Sequence, residues 1–156
     1  GVVYSPTEMP KGEAAPNHEL LYEDEFVLAV GHAHPLFQRK RVTLKEAMTY
    51  PLVLFRGPSH VRRALDRILL ESGVTPRVVM ELENEEAIEK MVAINMGLGF
   101  LSRRRAITDR VDHLDLIDCR LFLDVGLVLP PSGYLPPPAR EFASLCRQAA
   151  KAMQPL

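Results

Sequence analysis

Apolar residues fall along this chain in two rhythms. Short apolar runs, bounded by charge or by proline and glycine, sit at residues 2–4, 26–30 and 52–55, and strand-like segments at 77–80, 98–101, 114–118 and 121–129. Runs of this length predict strands, and the continuous ones predict strands covered on both faces. Between them, apolar positions recur at helical spacing. Val61, Ala64, Leu65, Ile68 and Leu69 make one face. Ile88, Met91, Val92, Asn95 and Met96 make a second, and Phe142, Leu145, Cys146, Ala149 and Met153 a third. Strands alternating with helices predict an α/β domain with a largely parallel sheet.

The ends of these helices carry their own signals. Thr43-x-x-Glu46 is a capping box, with Val42 placed to staple against Ala47, and the short helix it opens must stop before Pro51. Ser59 opens the next helix, and Gly73 closes it in the left-handed cap position. Arg62 and Asp66, and Arg67 and Glu71, stand four apart on its outer face. Asn84 caps the third helix, Glu85 and Glu86 face its positive end, and Gly97 ends it. Residues 136–138, all proline, open the last helix. Residues 5–17 hold Pro6, Pro10, Gly12 and Pro16 and read as a loop.

Composition narrows the picture. At 156 residues, 47% hydrophobic and 25% charged, the chain is globular and large enough for one domain or two small lobes. Its formal net charge is -1, without the basic excess of a domain that lives on nucleic acid. No run approaches the roughly 20 apolar residues of a membrane span, and the N-terminal stretch does not read as a signal peptide. Cys119 and Cys146 stand far apart in no CxxC pattern, which suggests a reduced, intracellular setting.

Three features invite a chemical reading. Gly97-x-Gly99 is followed by Arg103, Arg104 and Arg105. A dinucleotide fingerprint runs strand, glycines, helix; here the order is helix, glycines, strand, and Ser102 holds the third glycine position. The phosphate-loop reading fails on that geometry. Gly99 instead permits close backbone approach, to a neighbour or to a ligand. The arginines enter a new helix as a solvated face. His32-x-His34 lacks a cysteine or acidic residue at ligand spacing, so no metal and no cofactor is expected. No nucleophile stands beside a base, and Gly57-Pro58-Ser59-His60-Val61 is not a nucleophile elbow, so the chain is not expected to be an enzyme.

The order of motifs nevertheless resembles one family. His34-Pro35-Leu36 follows the first long strand, Tyr50-Pro51 starts the next, Ser59 opens the long helix, and residues 92–101 carry the glycine pattern. Together these resemble the effector-binding domain of LysR-type transcriptional regulators, over nearly the whole chain. Asn95-Met96 and Ser102, where proline is usual, depart from the pattern. The resemblance implies a type II periplasmic-binding-protein-like fold: one complete lobe plus part of a second lobe, joined by two crossover strands. Residues 1–25 would be a remnant of lobe I, 26–120 lobe II with the crossovers, and 121–156 the return to lobe I. The rest of lobe I and the DNA-binding winged helix-turn-helix are expected outside this chain.

The same resemblance implies a cytoplasmic sensor that binds a small effector between its lobes and signals to DNA as a homodimer or homotetramer. The free N–H groups of helix N-termini at the strand ends make a small carboxylate, sulfate or phosphate the natural guest. A free-standing solute-binding protein of the same fold is the alternative. The expected effector site comprises Phe55, Arg56, Ser59 and His60 at one strand end, with Gly97, Leu98, Gly99 and Phe100 as the opposite wall. Tyr4 and Ser5 would face it from lobe I. Ser59 equally serves as a plain helix cap, His60 as a surface histidine and Arg56 as a solvated charge. The family's peroxide-sensing branch has cysteine where Ser59 stands, which argues against thiol sensing. Arg62, Arg63, Asp66 and Arg67 form a candidate dimer face, or simply a solvated one.

Overall fold

The structure, a computed structural model, describes residues 2–5 (3–5 by their backbone), 17–105 and 108–153. The loop expected over 5–17 lies almost wholly outside the described residues. The chain divides into two compact units, Gly1–Asp24 with Leu123–Leu156 and Glu25–Phe122.

Strand β1 (Val2–Ser5) is followed by β2 (Asn17–Gly31), which enters the larger unit at Glu25. There follow β3 (Arg41–Val42), α1 (Leu44–Ala47), β4 (Pro51–Phe55), α2 (His60–Glu71), β5 (Arg77–Leu82), α3 (Glu85–Ala93), β6 (Leu98–Ser102) and β7 (Val111–Leu116). The strands of this unit pair in the order β5-β4-β6-β2-β7-β3. β4 is parallel to β5 and β6, and β3 to β7. Only β2 runs the other way, pairing antiparallel with β6 (Phe26↔Ser102) and β7 (Leu28↔Leu114). The sheet is therefore largely parallel with one reversed strand inserted.

Its core is built as the apolar runs require. Leu28, Leu52, Leu54, Leu98, Leu101 and Leu114 are wholly buried. Helix α2 seats Val61, Leu65 and Leu69 inward, and α3 seats Ile88 and Val92. The caps hold as chemistry predicts. Ser59 Oγ accepts from the Arg62 amide at 3.1 Å, and Asn84 Oδ1 from the Ala87 amide at 2.9 Å. At α1, Thr43 Oγ1 accepts from the Glu46 amide at 3.2 Å. The Glu46 carboxylate makes a two-pronged pair with Arg39 (3.0 and 3.1 Å), so the capping box is half used. Gly73 sits at φ 64, and the bonds Val74 N–Leu69 O and Gly73 N–Leu70 O complete a Schellman turn.

Several expectations are corrected. Helix α3 ends at Ala93, and Asn95, at φ 61, takes the left-handed position that Gly97 was expected to hold. The bonds Met96 N–Met91 O and Asn95 N–Val92 O close that turn. Asparagine tolerates this conformation because its short polar side chain bonds locally. Asn95 and Met96 are accordingly exposed rather than on the buried face. Arg103, Arg104 and Arg105 form a turn, not the start of a helix. Strand β2 starts at Asn17, nine residues before the apolar run, because its first half is part-exposed and carries polar residues.

The smaller unit contains β1, which pairs antiparallel with β8 (Leu121–Leu129) through Tyr4↔Val125 and Ser5↔Asp124, and α4 (Pro137–Met153). Its helix also departs from expectation. Ala143 and Ala150 are buried, whereas Phe142 and Leu145 are more than half exposed. The helix presents its alanine edge inward, where small side chains allow close approach, and Arg147 anchors it through two bonds to Glu19 (2.6 and 2.7 Å). Cys146 is half-buried. Among the described residues no helix is long and apolar enough to cross a membrane.

Candidate functional site

Five strands of the larger unit point one way, so their carboxyl ends share one edge. Open α/β sheets bind ligands beyond that edge, because helix N-termini and loops converge there. At the end of β4, Phe55 is buried and meets the Phe26 ring edge-on at 6.2 Å. The Arg56 amide donates to Leu82 O at 2.7 Å, which ties the exits of β4 and β5 together. The Arg56 guanidinium meets the Glu83 carboxylate at 3.3 Å, both side chains exposed. A cis Gly57–Pro58 bond then turns the chain into Ser59, and Ser59 and His60 are half-buried.

Arg62 reaches back over this edge. It donates to Phe55 O (2.9 Å) and to Asp66 (2.9 Å), and it pairs with Glu81. Burial works against its charge, but the two carboxylates outweigh burial and keep it charged. Its side chain is only 19% exposed, so Arg62 belongs to the β4–β5 edge and not to a free outer face. Arg63, Asp66 and Arg67 do lie exposed on α2.

The opposite wall is corrected by strand register. Leu98 pairs with Leu52, and Gly97 abuts Pro51, the first residue of β4. Ser59 follows the last residue of β4, so Gly97 and Leu98 lie at the other end of the sheet. Gly99 and Phe100 are buried within it. A Cβ on Gly99 would stand 2.7 Å from Ile88 Cγ2 and 2.9 Å from Val92 Cγ2, so its bareness serves the seating of α3. What β6 brings to the Ser59 edge is Ser102, whose amide donates to Glu85 at 3.1 Å, and then Arg103. Tyr4 and Ser5 belong to the smaller unit, and their side chains lie outside the described residues.

The histidine pair is structural. His34 Nδ1 accepts from the Leu36 amide at 3.1 Å, and its buried ring meets Tyr50 edge-on at 4.8 Å. Burial lowers its pKa and favours the neutral ring that this bond needs. His32 packs on Phe37 at 4.4 Å. Among the described residues no group of three His, Cys, Asp or Glu is placed to hold a metal.

One constellation escapes sequence reasoning. Glu25, on β2, is 14% exposed and receives Arg103 Nε at 2.7 Å and Arg120 Nε at 2.9 Å. Arg103 also donates to Asp115 at 2.5 Å. Burial pushes the Glu25 carboxyl up, but the two arginines together outweigh it and hold the group below its ordinary 4.5. Arg103 in turn is held charged, first by Glu25. These residues, with Arg41 and Cys119, line a pocket of about 380 Å³. They are scattered from 25 to 120, and only the pairing of β6, β2 and β7 collects them.

Comparison with known proteins gives this architecture a lineage. The LysR substrate binding domain matches residues 5–151. A probable nitrogen assimilation transcriptional activator of Synechococcus elongatus is 26% identical over 138 residues, 86% of this chain and 45% of that protein. The HTH-type transcriptional regulator cbl of Escherichia coli is 26% identical over 101 residues, 65% of this chain and 32% of that protein. The chain thus spans less than half the length of these two curated relatives. Among solved structures, the regulatory domain of Synechocystis CcmR in complex with 2-PG superposes with a TM-score of 0.78 at 20% identity, covering 97% of this chain and 73% of that one. The effector binding domain of QuiR in complex with shikimate gives 0.73 at 20% identity, covering 91% and 69%. The family and its relatives are transcriptional regulators, not enzymes or free solute carriers. With that match over nearly its whole length and the type II periplasmic-binding-protein-like fold, the chain belongs to the LysR substrate binding domain family.

Proposed function

We propose that this chain senses a small anionic effector at the carboxyl edge of its larger unit and, as part of a longer cytoplasmic regulator, conveys occupancy to DNA-binding heads outside the chain. The observation that carries the reading is the family match joined to the edge itself: Arg56, Ser59 and His60 gather donors there beside buried Phe55. Ser59 accepts from the Arg62 amide and keeps its own proton to donate. Arg56 is held by one exposed carboxylate at 3.3 Å, a contact weak enough for a ligand anion to replace. In this reading the larger unit is lobe II and the smaller a remnant of lobe I, with crossovers near 26–30 and 115–121. A homodimer or homotetramer supplies paired DNA-binding heads, and Arg63, Asp66 and Arg67 on α2 mark one contact face.

The mechanism is a population shift: an effector that binds one arrangement more tightly favours it by the difference in affinity. Two fold relatives are described with small molecules, QuiR with shikimate and CcmR with 2-PG, which supports a small-molecule effector here. A thermal-shift screen of small carboxylates and inorganic anions tests it. A ligand at about 100 times its dissociation constant stabilises by about 2.7 kcal/mol. Ser59→Ala and Arg56→Ala should diminish that gain and Lys45→Ala should not. Equal losses in all three would remove this placement.

A further inference from the structure

We propose that the pocket bounded by β3, the end of β7 and the turn after β6 is a second ligand site, taking a small organic oxyanion whose head is received by Arg41, Arg103 and Arg120. The pocket adjoins the Ser59 edge, since its Arg103 directly follows Ser102 and its Phe26 packs on Phe55, but residues 56–60 do not line it and the proposal does not rest on the effector reading above.

Three arginines from three parts of the unit line this pocket, against two carboxylates, Glu25 and Asp115. The lining therefore carries one uncompensated positive charge, which a single anionic head neutralises. Two of the cations are oriented in advance. Arg103 is held between Glu25 (2.7 Å) and Asp115 (2.5 Å). Arg120 is held by Glu25 (2.8 Å) and lies over the Phe122 ring at 4.7 Å. Fixed donors lose little freedom when a ligand arrives, which is what makes a site bind rather than merely attract. Arg41, by contrast, is exposed and has no carboxylate partner among the described residues.

An ion-pair network that only ties β6, β2 and β7 together would account for Glu25, Arg103, Asp115 and Arg120. It would account neither for the third cation nor for about 380 Å³ left unfilled. That volume lies within the range of small-molecule pockets. Val27, Leu116 and Ile117 give it an apolar floor. The combination selects an anionic head on a compact apolar body.

The test is an amide chemical-shift titration of the 156-residue chain with cyclohexanecarboxylate and with its uncharged amide, chloride holding the ionic strength constant. Saturable shifts are expected at the Val27, Leu116 and Cys119 amides with the carboxylate. The amide should bind about tenfold more weakly or worse, as loss of charge-assisted bonds implies. Arg41→Ala, a substitution at an exposed side chain, should weaken the carboxylate about tenfold, and Arg120→Gln should weaken it also. Ser59→Ala should leave it unchanged. Shifts that never saturate, equal binding of the amide, or indifference to Arg41→Ala would each overturn the site. Shifts confined to residues 56–62 and lost in Ser59→Ala would overturn it while sparing the effector edge.

Discussion

Ser59 and Asn84 cap neighbouring helices through the same kind of bond, to the amides of Arg62 and Ala87. Replacing either by alanine should cost about 1 kcal/mol of stability in chemical denaturation. Only Ser59→Ala should also weaken an effector. If Asn84→Ala weakens it equally, the effect is one of helix stability and not of contact. His34 offers a sharper handle. Its folded pKa lies below the ordinary 6.5 because burial disfavours the charged ring. The unfolded chain therefore binds the extra proton first. The stabilisation is fully present above about pH 6.5 and declines as pH falls through the lower folded value. Denaturation midpoints should begin to drop just below pH 6.5, and His34→Asn, which keeps an acceptor for the Leu36 amide, should show no step there.

Strands β2 and β6 and helix α3 meet where two bare positions, Gly31 facing the Val92 carbonyl and Gly99, let them close up. Gly99→Ala would press a methyl group into Ile88 and Val92, and about 1–3 kcal/mol of destabilisation is expected from such overpacking. A stability equal to wild type would mean that α3 floats over the sheet rather than seating on it. Glu25 links the same strands through charge. With its pKa held below 4.5, it contributes stability above that pH and loses it as pH falls through the folded value. Glu25→Gln should flatten the acid limb of the stability profile below pH 4.5, and an unchanged limb would refute the network's role. Elements built on local signals were legible in the sequence: α2 from its period, its serine and its glycine, and β4 and β6 from unbroken apolar runs. The end of α3 was misplaced because asparagine can turn a helix where glycine was expected. The amino half of β2 was hidden because a part-exposed strand tolerates charge. The wall assigned to residues 97–100 failed for a different reason: spacing names the motif, but parallel register decides which end of the sheet it reaches.

The two units differ in how they are held. The larger has a sheet packed against α2 and α3, with wholly buried leucines on four of its strands. In the smaller, α4 buries two alanines and relies on Arg147 and Glu19 at its rim. Hydrogen exchange should therefore be faster along α4 than along β4 and β6, since thinly buried helices open first. Equal protection would mean that the exposed Phe142 and Leu145 are covered in solution. The flush contact of Gly99 with Ile88 and Val92, and of Gly97 with Pro51, carries a consequence for breeding new sensors from this scaffold. No side chain fits at either glycine without displacing a neighbour, so a change of preference cannot be written there. Libraries that vary positions 56, 59, 60 and 83 should yield altered responders, whereas those that vary 97 and 99 should yield mostly insoluble protein.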